Sequence, residues 1–194
     1  MGGTFDPIHI GHLMVAEEAR FRFGLDRVIF VPSARPPHKA DIPNSPPLDR
    51  KRMVELAING NPFLEMSEIE LDREGPSYTI DTLRELRRIN GEDAELYFII
   101  GADAMSEILT WKEPEDVLAE SEFIVATRPG CSLDRLRDAL PAGADAMKSV
   151  YCMEIPALAI SSTDIRSRVH DGRPFRYLVP DAVLEYIKAN GLYQ

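Results

Sequence analysis

Two histidines, His9 and His12, sit within four positions of each other in the run Gly2-Gly3-Thr4-Phe5-Asp6-Pro7-Ile8-His9-Ile10-Gly11-His12, although the chain of 194 residues has only four histidines in all. Glycines let the backbone approach a phosphate closely, and a helix start presents unpaired N–H groups that favour negative charge. Both imidazoles could donate to phosphate oxygens there, with Gly11 leaving room between them. The bland alternative is a Gly-Gly turn with two surface histidines. A zinc site is a further alternative, but no third ligand stands at the right spacing. Asp6, beside Pro7, reads as a turn residue.

A second run, Ile160-Ser161-Ser162-Thr163-Asp164-Ile165-Arg166, places three hydroxyls in succession at another helix start. One N-cap needs only one of them, which leaves the others to hydrogen-bond a phosphate. Arg166 could grip that phosphate with two parallel N–H bonds. Pro37-His38-Lys39 adds a mobile cation in a proline-rich loop, and Gly101-Ala102-Asp103 follows an apolar run where an acid often holds ribose hydroxyls. Trp111, the only tryptophan, reads equally as core or as a stacking platform for a flat ring.

The elements that must position these residues alternate. The pattern predicts helices at Leu13 to Phe23, Asp49 to Asn59, Tyr78 to Ile89 (capped by Ser77), Ser132 to Leu140, from Ser162 or Thr163 to Val169, and from a cap at Asp181 to Asn190. Strands are expected at Arg27 to Pro32, Phe63 to Leu71, Glu95 to Ile100, Glu122 to Thr127 and Val150 to Ile155. Strand–helix alternation implies an α/β fold with a mostly parallel, doubly wound sheet and helices on both faces. Ligands then bind at the carboxyl ends of the strands. One domain over 1–194 is expected, its helical part from about residue 160 completing the phosphate site.

Net charge is −10, which argues against a nucleic-acid surface. A phosphate site must then gather its few cations locally. No stretch approaches 18 apolar residues, so no membrane span is expected. Nothing reads as a secretion signal, and the two cysteines, Cys131 and Cys152, make no disulfide framework. A cytoplasmic location is the expectation.

Together these runs resemble the HxGH nucleotidyltransferases, and specifically the bacterial nicotinate-nucleotide adenylyltransferases. Ser77-Tyr78-Thr79-Ile80-Asp81-Thr82-Leu83, Phe98-Ile99-Ile100-Gly101-Ala102-Asp103, Thr110-Trp111, Arg128-Pro129-Gly130 and Tyr177-Leu178-Val179-Pro180 extend the match across nearly the whole chain. The resemblance implies a Rossmann-like sheet and a magnesium-dependent reaction of ATP with nicotinate mononucleotide. It places Gly2, Gly3, Thr4 and Phe5 against ATP, His9 and His12 on its phosphates, and Gly101 and Asp103 on the ribose. Ile160, Ser161, Ser162, Thr163 and Arg166 would hold the phosphate tail, assisted by Lys39. Thr79, Trp111 and Arg128 would receive the acceptor. Rival readings are an adenylyltransferase of the same class acting on phosphopantetheine, and a non-catalytic nucleotide-binding module. Two departures stand out. Lys112-Glu113-Pro114 replaces an expected aromatic after Trp111, and only Met1 precedes the glycine turn. The chain is therefore expected to begin inside its first strand, with the strands at Arg27 and Glu95 flanking a poorly filled position that about five upstream residues would restore.

Overall fold

The computed structural model describes residues 1–36, 44–127, 150–156 and 159–194. Lys39, Arg128 and the helix expected at Ser132 to Leu140 lie outside the described residues. Two compact units emerge, one of Met1–Gly2 with Pro76–Ala157, the other of Gly3–Gly75 with Leu158–Gln194.

A three-stranded sheet runs in the order β1 (Gly2–Gly3), β2 (Val28–Pro32), β3 (Leu64–Met66), with Gly3, β2 and β3 in the second unit. β2 and β3 are parallel, with Phe30 opposite Met66. The Ser33 N–H extends the β1 edge by donating to Gly3 O at 2.9 Å. Between these strands lie α1 (Ile10–Phe23), ended by Gly24 at φ 62, and α2 (Pro47–Ile58). Val15, Ala16 and Ala19 of α1, Val28 and Phe30 of β2, and Met53 and Val54 of α2 are buried.

β3 corrects the strand expected over Phe63 to Leu71. The alternation of apolar and polar residues persists to Leu71, but pairing stops at Met66. Ser67 N–H still donates to Phe30 O, and by Asp72 the N–H turns back to Glu68 O. The main chain folds on itself there, and a two-residue period cannot distinguish such a turn from a half-exposed strand.

The first unit holds α3 (Thr79–Asn90), β4 (Tyr97–Gly101), α4 (Ala102–Ser106), a 3-10 turn at Ile108–Thr110, α5 (Pro114–Glu120), β5 (Glu122–Thr127) and β6 (Val150–Glu154). β5 is the middle of a fully parallel sheet, in the order β4-β5-β6. Its Phe123, Ile124 and Val125 are all buried, as a strand covered on both faces requires. Ile80 and Leu83 of α3, Ile108, and Val117 and Leu118 of α5 pack with Phe123 and Val125 in one cluster, and half-buried Cys152 lies against it. α3 starts after Tyr78 rather than Ser77, and no side chain caps it.

Two further helices complete the second unit, α6 (Ser162–His170) and α7 (Asp181–Ala189). Pro180, not Asp181, is the residue before α7. Asp181 instead occupies the first turn, where its charge suits the helix N-terminus.

Candidate active site

His9 is the N-cap of α1 and His12 its third residue, which extends the helix three residues ahead of the expected start. The cap uses imidazole in place of a hydroxyl: the His9 N–H donates to His12 Nδ1 at 3.2 Å. An accepting Nδ1 leaves the neutral His12 ring with its proton on Nε2. The two rings stack, with centroids 3.7 Å apart and planes 20° apart. Phe5 meets the His12 ring edge-on at 5.2 Å and fixes it from another side.

His9 is the buried member of this pair, only 7% exposed. Burial depresses its pKa from 6.5 to about 4, so it is neutral at pH 7. Its Nδ1 is buried without a hydrogen-bond partner among the described residues. The glycine between the histidines has a steric cause. A Cβ on Gly11 would stand 3.1 Å from both Cε1 and Nδ1 of His9. Gly3 has a similar cause, since a Cβ there would come within 3.0 Å of the Phe5 ring.

A cavity of about 330 Å³ opens beside these groups, lined by Gly3, Thr4, Phe5, Asp6, His12, Asn44, Ser162, Thr163 and Arg166. Two widely separated runs of sequence therefore meet as expected. The first turns of α1 and α6 both contribute to its wall, so two helix N-termini favour an anion there.

The hydroxyls divide their work differently from the sequence expectation. Ser161, not Ser162 or Thr163, caps α6 by accepting from the Asp164 N–H at 3.1 Å. Ser162 Oγ donates to Pro7 O at 2.9 Å, so its proton is committed within the protein. Thr163 Oγ1 accepts from Arg166 Nη2 at 3.4 Å, and its own proton remains for a ligand. The other end of the guanidinium is anchored, with Nη1 donating to Asp6 O at 2.7 Å.

Asp6 is more than a turn residue. Its side chain is 2% exposed and accepts from Tyr193 Oη at 2.6 Å and from the Ser45 N–H at 3.1 Å. Asn44 also lines the cavity. No local pattern marks either residue.

The remaining expected site residues belong to the first unit. Gly101 ends β4 and Asp103 is exposed in the first turn of α4, at the carboxyl end of a parallel strand. Thr79 opens α3. Trp111 follows the 3-10 turn, its ring edge-on to Phe98 at 6.1 Å. Lys112 pairs with Asp81 at 3.2 Å and lies 4.9 Å over the Tyr78 ring. The cation that stands where an aromatic was expected thus braces the start of α3.

Residues 1–168 match the cytidylyltransferase-like family. The chain belongs to it. Over its full length the chain is 54% identical to the "Probable nicotinate-nucleotide adenylyltransferase" of Moorella thermoacetica, covering 90% of that protein. It is 51% identical to the protein of the same name from Salinispora tropica, with both chains covered completely. Membership of the nicotinate-nucleotide adenylyltransferase family follows. Among solved structures, Plasmodium falciparum nicotinic acid mononucleotide adenylyltransferase complexed with NaAD superposes with a TM-score of 0.80 at 21% identity, covering 99% of this chain and 94% of that one. The same enzyme complexed with APC gives a TM-score of 0.77. The α/β fold is thus the Rossmann-like fold of these adenylyltransferases. Among the described residues, no helix is long and apolar enough to cross a membrane.

Proposed function

We propose that the cavity receives the phosphates of ATP, and that the chain transfers AMP from ATP to nicotinate mononucleotide. The products are nicotinate adenine dinucleotide, a precursor of NAD, and pyrophosphate. The observation that carries this reading is the convergence of His12, Thr163 and Arg166 with two helix N-termini on one cavity. In the reaction an oxygen of the acceptor 5′-phosphate bonds to the α-phosphorus of ATP. The bond from that phosphorus to the bridging oxygen breaks, and pyrophosphate leaves with the electron pair. The acceptor oxygen is already anionic at pH 7, so no protein base is required. Catalysis is then positioning and stabilisation of charge.

His12 would donate its Nε2 proton to a phosphate oxygen, and Arg166 and Lys39 would supply positive charge. His9, kept neutral, supports the His12 ring rather than adding charge. Gly2, Gly3, Thr4, Phe5, Ile160 and Ser161 are assigned to the nucleotide side, Gly101 and Asp103 to the ribose, and Thr79, Trp111 and Arg128 to the acceptor. The described residues offer no cluster of three His, Cys, Asp or Glu side chains for a cation. Asp6, the one carboxylate among the described lining residues, is occupied by donors from the protein. This donor set fits magnesium carried on the phosphates of the nucleotide, where the ion would neutralise charge on the leaving group. A cytoplasmic location accords with two charged, membrane-impermeant substrates.

Pyrophosphate release on mixing the protein with ATP and nicotinate mononucleotide, its amide analogue or phosphopantetheine tests the reading. The acid form should be preferred over the amide by roughly 10–100-fold in kcat/KM, the value of one charge-assisted hydrogen bond. His12→Ala should lower kcat by about 10²–10³ with the KM for ATP within a few-fold. Absence of release with the acid, or a preference for another acceptor, refutes the proposal.

A further inference from the structure

Asp6, in the cavity wall, makes side-chain contacts that phosphate chemistry does not use. Tyr193 follows α7 with its backbone in the left-handed region at φ 67. Its hydroxyl donates to Asp6 Oδ1 at 2.6 Å and lies 3.9 Å from Met53 Sδ. The other Asp6 oxygen accepts from the Ser45 N–H at 3.1 Å. Burial and the neighbouring Asp6 charge push the Tyr193 phenol far above the ordinary tyrosine value, so it remains an O–H donor.

Asp6 is thus held by its side chain, while its main-chain carbonyl holds Arg166 at 2.7 Å. The carbonyl and the side chain leave from the same Cα, so gripping both carboxylate oxygens through Tyr193 and Ser45 restrains that Cα and narrows the positions the carbonyl can take. We propose that Tyr193 is a positioning residue for AMP transfer: its hydroxyl fixes Asp6, and through the Asp6 carbonyl it fixes the direction in which Arg166 faces the cavity. The kinetic consequence rests on the function proposed above; the tether itself does not. A hydroxyl that merely filled space would stabilise the protein without any dependence on Arg166.

Four proteins separate the two cases: the natural chain, Tyr193→Phe, Arg166→Ala and the double variant, each assayed for pyrophosphate release. Phe keeps the ring and loses only the hydroxyl. In the natural background it should lower kcat about 10-fold, the low end for one hydrogen bond to a charged group, with the KM for ATP changing less than about 3-fold. In the Arg166→Ala background the same change should cost less than about 2-fold, because residues acting through one another are not additive. Equal losses in both backgrounds, or no loss in either, overturn the proposal. Amide hydrogen exchange on the full chain without ligand gives a second readout. Tyr193→Phe should speed exchange within residues 4–12 and leave β5 unchanged; unaltered exchange in residues 4–12 overturns the tether. Should the natural chain release no pyrophosphate, the proposed function fails while the exchange result still decides the tether. Where Tyr193→Phe does not fold, Asp6→Asn takes its place, with the same non-additivity expected and the same independence of effects overturning it.

Discussion

In the unit that carries the cavity, a fully buried guanidinium, Arg50, donates to Thr4 O at 2.8 Å, Ser45 O at 3.0 Å and Ala34 O at 3.4 Å. In the other unit, Arg84 reaches Glu113 at 2.9 Å and Asp116 at 2.8 Å across the surface between α3 and α5. Both arginines join separate stretches of chain, but only one does so away from water. Arg50 ties down the loop that forms the cavity wall, and burial lowers its pKa, partly offset by Asp6. Arg84 is half-exposed, and its carboxylate partners are solvated. A buried cation must have every partner in place because water cannot substitute for any of them. The loop around the cavity is therefore held by contacts that fail together. The α3–α5 face is held by apolar packing, with ion pairs that can be lost singly.

The sharpest way to break this contrast is Arg50→Met. It removes the guanidinium that donates to three half-buried carbonyls and the cation near Asp6. A loss of about 3–5 kcal/mol is expected, which is a fall in Tm of roughly 10 °C or more at this size. A shift of only a degree or two in thermal unfolding would mean the loop is held by something else.

Next in size is the pH response of His9. With a native pKa near 4 against 6.5 unfolded, the unfolded chain binds the extra proton between those values. Stability from the buried neutral ring is therefore full above pH 6.5 and is lost as pH falls toward 4, by on the order of 3 kcal/mol. Denaturant unfolding across this range should show the natural chain losing more stability than His9→Gln. Parallel curves for the two proteins would show that the ring is not desolvated.

The smallest effect belongs to Arg84→Ala. The Tm should move by no more than about 2 °C, and by less in high salt, as for exposed pairs in general. A larger drop would place the α3–α5 face in the same class as the Arg50 loop and erase the comparison.

How far the sequence revealed all this depends on the distance over which each signal acts. β5 was legible with its exact limits because a strand buried on both faces leaves a continuous apolar run. Each of the His9–His12 and Ser161–Arg166 runs could be read as phosphate-binding from its residue types, but their meeting at one nucleotide came from the family resemblance. The true start of α1 was hidden because Gly11 reads as loop, while the His9–His12 hydrogen bond that allows helix there is not a familiar cap. The short α4 and α5 were missed because five and seven residues hold too little periodicity to register. The role of Asp6 was out of reach. Its partner Tyr193 stands 187 residues away, and nothing local links the two.

The crowding at Gly11 sets a limit on variation that chemistry alone would not. His12 and His9 could be exchanged for other donors and leave a folded, if slow, protein. Position 11 has no such latitude, because the volume a side chain would need is already filled by the His9 ring, which is itself stacked 3.7 Å from His12. Even a methyl group requires that ring to give way by a few tenths of an ångström. In a library randomised over residues 10 and 11 with both histidines kept, functional clones would therefore show their narrower choice at the position that carries no side chain.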